Sequence, residues 1–122
     1  MEIFLHLWWR FRRSVRFAIR GLRHVFRRER NFQIELFVGI VVLFTVFLLP
    51  FTFFERAFLV FVAGFVLTLE IVNTALERLV DLIRPSIHPY AEVVKDLMAS
   101  AVLLSSLVAV FVAVLVVIGR FF

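Results

Sequence analysis

The chain has 122 residues, 63% of them hydrophobic and 16% aromatic, with 17 phenylalanines and a net charge of +5. Its mean hydropathy is +1.03, and no soluble domain of this size needs so much apolar surface, so the composition predicts an integral membrane protein. Cysteine is absent, which excludes disulfides, thiolate nucleophiles and cysteine-ligated zinc together, and 4 glycines with 3 prolines are too few for the turns of a membrane barrel.

From Phe4 to Phe26 the apolar residues Phe4, Trp8, Phe11, Val15, Ala18, Leu22 and Val25 recur every three or four positions, with arginines on the rest of the wheel. This spacing predicts an amphipathic helix lying on the membrane surface, its cations among lipid phosphates, with a weak point at Gly21. No signal peptide is expected, since the arginine-rich stretch follows the first apolar residues and no small-residue cleavage site precedes the spans. The stretch Arg27 to Glu35 then carries charge straight into the first apolar run. Glu29, among arginines, reads from composition alone as a surface ion pair, and Gln33 and Glu35 at the mouth of the span must face protein or headgroups.

Apolar runs at Leu36 to Phe54, at Ala57 to Leu69 with a polar continuation, and at Leu97 to Ile118 predict three transmembrane helices. Residues 1–122 thus read as one domain: an amphipathic surface helix and link over 1–30, and three spans over 31–122. Pro50 ends the first span. The excess of arginine before that span, from Arg10 to Arg30, puts the N-terminus in the cytoplasm by the positive-inside rule, and an odd number of spans puts the C-terminus outside. A basic arm directly before a span is better explained by anionic headgroups than by nucleic acid.

The second span holds the most informative pattern. At about 100° per residue, Glu70, Asn73, Thr74, Glu77 and Asp81 share one helix face. A carboxylate at mid-membrane costs about 2.5 to 3.5 kcal/mol, so two glutamates kept there need a partner or a task. A helix-packing seam accounts for Asn73 and Thr74 and accounts poorly for the acids. Three helices alone can hardly shield such a stripe from lipid, so a homo-oligomer is expected. Glu70 falls about 20 Å from the outer end of its span, and Glu77 about 10 Å deeper, toward the cytoplasm. Arg84 to Tyr90 breaks the chain, His88 reads as an interfacial hydrogen-bonding residue, and Lys95 and Asp96 open the third span about 100° apart, lining a groove between helices.

None of the phosphate-loop, dinucleotide or zinc-hydrolase motifs occurs. Carboxylates without cysteine or clustered histidine suit Mg²⁺, a hard cation that keeps substrate phosphates as further ligands. From the residues alone two classes remain open: a metal-dependent enzyme at the inner interface, and a small oligomeric proton- or cation-coupled transporter using Glu70 as relay.

Gly21-Leu22-Arg23, Glu29 to Glu35, Glu70 to Glu77, Asp81, His88-Pro89 and Lys95-Asp96 with Ala101 to Leu104 resemble the prokaryotic diacylglycerol kinase and undecaprenol kinase family. The resemblance covers nearly all of the chain after Arg10. It implies an all-α membrane protein of three transmembrane helices with an amphipathic surface helix, assembled as a homotrimer in the inner membrane. The activity it implies is transfer of the γ-phosphate of MgATP to the hydroxyl of a membrane lipid, diacylglycerol or undecaprenol. It makes Glu70 the catalytic base, places Glu29 and Glu77 on the Mg²⁺, and assigns Glu35 and Glu70 to the lipid substrate. It gives ATP contacts to Arg10, Phe17, Glu29, Asn73, Glu77, Ser86, His88, Lys95 and Asp96. Phe17, an often aromatic position in the family, has no hydroxyl here, and the family's usual Glu-Tyr-His is Ser86-Ile87-His88. Glu29 to Asn31 and His88-Pro89 look more like the undecaprenol kinase branch.

Overall fold

A computed structural model describes residues 1–83 and 89–122. Its regular elements are four helices, α1 (Glu2–Arg28), α2 (Arg30–Leu48), α3 (Phe53–Ile83) and α4 (Pro89–Phe121), and no strand occurs among the described residues. Helices α2, α3 and α4 are each long and apolar enough to cross a membrane, and the chain is a multi-pass membrane protein. Phe37, Phe44, Phe47, Phe61, Phe65 and Phe111 all point outward. Such a surface is untenable in water and ordinary against lipid tails, where helices associate by packing and hydrogen bonds rather than by hiding apolar area.

The first span ends at Pro50, as expected. The helix stops at Leu48 and Leu49 is extended (φ −91°, ψ 157°), because the ring of Pro50 clashes with a helical residue before it. The next helix restarts at once through a capping box: the Thr52 N–H donates to Glu55 Oε2 (2.6 Å) and the Glu55 N–H donates to Thr52 Oγ1 (3.3 Å). Thr52→Ala removes one half of that exchange and is expected to cost about 1 kcal/mol, read as a lower midpoint in a denaturant titration in detergent. Between the two helices Phe51 folds inward, edge-on to Phe121 with centroids 5.8 Å apart. There it joins Val46 and Leu59, and Val42, Ala113 and Val116 pack on the cluster, so all three spans meet at this end.

At the other end α1 and α2 are separated by the single non-helical residue Glu29 (φ −106°, ψ 108°), which closes one helix and opens the next. Its N–H donates to the Val25 carbonyl (2.9 Å), and the Gln33 side chain donates to the otherwise orphaned Phe26 carbonyl (2.8 Å). Val25 and Phe32 are buried at this elbow. Helix α1 runs unbroken through Gly21. A glycine costs a helix about 1 kcal/mol relative to alanine, too little to interrupt 27 helical residues. Packing is carried by α3, which lies against both α2 and α4, while α1 rests on α2.

Candidate functional site

Helix α3 has 31 residues, about 46 Å at 1.5 Å per residue, and exceeds the roughly 30 Å hydrocarbon layer by several turns. Its polar stripe is therefore drawn toward one end. Glu70, Asn73 and Thr74 are the buried polar residues among the described residues, with Glu70 only 3% exposed. Glu77 is half-buried one turn beyond Asn73.

The tertiary fold adds two acids from other segments. Glu70 lies within electrostatic reach of Glu77 and of Glu29 at the elbow, and Glu35 on α2 lies within reach of Glu70. Four like charges thus converge on one end of the bundle, an arrangement that repels itself unless cations answer it. Two do. Arg78 Nη2 donates to Glu29 Oε1 at 2.9 Å, and Lys95 from α4 donates to Asp81 Oδ1 and is also within electrostatic reach of Glu77. Neither pair was readable from the sequence. Arg78 follows Glu77 but lies off the face of the stripe, 49 residues from its partner, and nothing local marks it. Asp81 was visible on the stripe, but its tie to Lys95 was not.

Two oxygens in this region are buried without a hydrogen-bond partner among the described residues, Asn73 Oδ1 and Glu35 Oε2. An orphaned acceptor is costly and asks for a donor or a cation. The donor set, carboxylates and an amide carbonyl, fits a hard divalent cation that completes its shell with phosphate oxygens and water. No group of three or more acidic, histidine or cysteine side chains is close enough to hold a metal by itself among the described residues. A cation here would complete its shell with water or with substrate oxygens.

Leading away from Glu35 is an apolar groove of about 280 Å³ between α2, α3 and α4, walled by Ile34, Val38, Val62, Val66, Ser106 and Val110. Its one carboxylate is Glu35, at the end nearest Glu70.

The remaining expected residues stand apart. Arg10 is exposed on α1, about 28 Å along the helix axis from Glu29, and Phe17 is about 18 Å away, so one chain does not bring them to the acids. Phe17 is held between two guanidinium groups, Arg13 at 5.6 Å and Arg20 at 5.7 Å from its ring centre. Asp96 is exposed on the second turn of α4, and its carbonyl accepts the Ser100 hydroxyl at 2.7 Å. Ser86 and His88 lie outside the described residues.

A model of the prokaryotic diacylglycerol kinase family matches residues 16–117. A diacylglycerol kinase of Synechocystis sp. is 40% identical over 100 residues, 81% of this chain and 57% of that protein, so the match spans little more than half of that relative's length. An undecaprenol kinase of Bacillus subtilis is 35% identical over 107 residues, 88% of this chain and 87% of that protein.

Proposed function

The chain belongs to the prokaryotic diacylglycerol kinase family, and from that premise we propose that it phosphorylates a membrane lipid alcohol, diacylglycerol or undecaprenol, using MgATP. The observation that carries the reading is buried Glu70, with Glu29, Glu35 and Glu77 around it, at the end of a membrane-spanning bundle. Soluble phosphoryl-transfer enzymes work by positioning and by neutralising charge, and the same demands apply at a membrane surface.

In the proposed reaction the lipid hydroxyl lies beside Glu70, with its apolar chain along the groove below Glu35. The hydroxyl oxygen attacks the γ-phosphorus, the bond from that phosphorus to the bridging oxygen of ADP breaks, and the hydroxyl proton passes to the Glu70 carboxylate. The products are ADP and phosphatidic acid or undecaprenyl phosphate. Glu29 and Glu77 would hold Mg²⁺, which when bound offsets the charge of the ATP phosphates. Lys95, oriented by Asp81, contacts phosphate, Asp96 supports it, and the Asn73 carbonyl aligns the reacting groups. Arg10 and Phe17 on α1, with Ser86 and His88 in the link before α4, complete the nucleotide site. Their distance from the acids within one chain supports a homotrimer in which α1 covers a site formed with a neighbouring subunit. The arginine-rich α1 lies on the cytoplasmic face of the inner membrane, and the C-terminus lies outside.

The test is purified protein in mixed micelles with labelled ATP and Mg²⁺, offered each lipid separately. Labelled lipid phosphate is expected with at least one of them. Absence of product from both, together with acid-dependent ion flux in liposomes, would replace this reading with the transporter.

A further inference from the structure

Arg78 has no part in the reaction as proposed, yet it makes the direct ionic contact of Glu29. We infer that Arg78 is a built-in counter-ion that stands in for the divalent cation at Glu29 and is displaced when that cation binds, an inference that rests on the metal role proposed for Glu29.

The geometry suits a stand-in. Glu29 is largely covered, with a side chain 22% exposed, whereas the Arg78 side chain is 59% exposed. The acid is therefore fixed and the guanidinium is free to swing into water with little loss of hydration. With Glu70 within electrostatic reach of both Glu29 and Glu77, a positive group at Glu29 relieves the repulsion among these acids before a cation binds. Exposed ion pairs are weak, so this one yields to a doubly charged competitor that several oxygens bind at once. The pair also ties the one-residue elbow between α1 and α2 to α3.

The experiment is Mn²⁺ titration of the full chain in detergent, with free ion measured by electron paramagnetic resonance and no ATP or lipid present. Removing a competitor should tighten binding. Arg78→Gln is expected to bind Mn²⁺ about two- to fivefold more tightly than wild type, the strength of an exposed ion pair expressed as an equilibrium ratio. Arg78→Lys, which keeps the charge, should stay near wild type, and in a Glu29→Gln background Arg78→Gln should bring no gain. Unchanged or weaker binding by Arg78→Gln overturns the inference, as does a gain that survives in the Glu29→Gln background. No saturable Mn²⁺ binding by wild type overturns the metal reading itself, a separately recognisable result.

Discussion

Glu70→Gln is expected to lower lipid phosphorylation by about 10² to 10⁴-fold, the usual contribution of a positioned general base, while the protein still folds and binds MgATP. The amide matches the carboxylate in shape, so the buried position on α3 is refilled without a cavity. It cannot accept the hydroxyl proton. The substitution also removes one of several crowded negative charges, since Glu70 faces Glu29 and Glu77. Thermal stability in detergent should therefore be unchanged or higher, and a loss of activity cannot be ascribed to unfolding. Calorimetric titration with MgATP beside the lipid kinase assay reads both halves of the expectation. Full turnover by Glu70→Gln, or loss of nucleotide binding to match the loss of turnover, would remove Glu70 from the role of base.

Glu77→Gln is expected to act on the other half of the site. Seven residues separate the two glutamates, about two turns and roughly 10 Å along α3, too far for both to touch one small ion. Glu77 lies nearer the proposed nucleotide, within reach of Lys95. Neutralising it should weaken MgATP binding at least about tenfold, the scale on which metal sites respond even to loss of a supporting group. Much of the deficit in turnover should return at high Mg²⁺ concentration, whereas that of Glu70→Gln should not. A Glu77→Gln protein that binds MgATP normally would show that Glu77 does not hold the metal.

Several features of this molecule were legible from the order of its residues because they depend on one helix at a time. Apolar runs of spanning length announce α2, α3 and α4, the residue before Pro50 cannot stay helical, and a 3.6-residue period puts Glu70, Asn73, Thr74 and Glu77 on one face. Resemblance to a known family then supplied expected roles for single residues such as Glu29, whose surroundings in the sequence read only as a surface ion pair. The tertiary structure alone decided which helices share the acids. Glu29 meets Arg78 across 49 residues and Lys95 meets Asp81 across 14, and Glu35 closes the groove between three helices. Such pairings depend on the rotation and crossing of each helix against its neighbours. These are set by the fit of side chains along α3 and by turns such as Thr52 to Glu55, and no periodicity within a single helix encodes them.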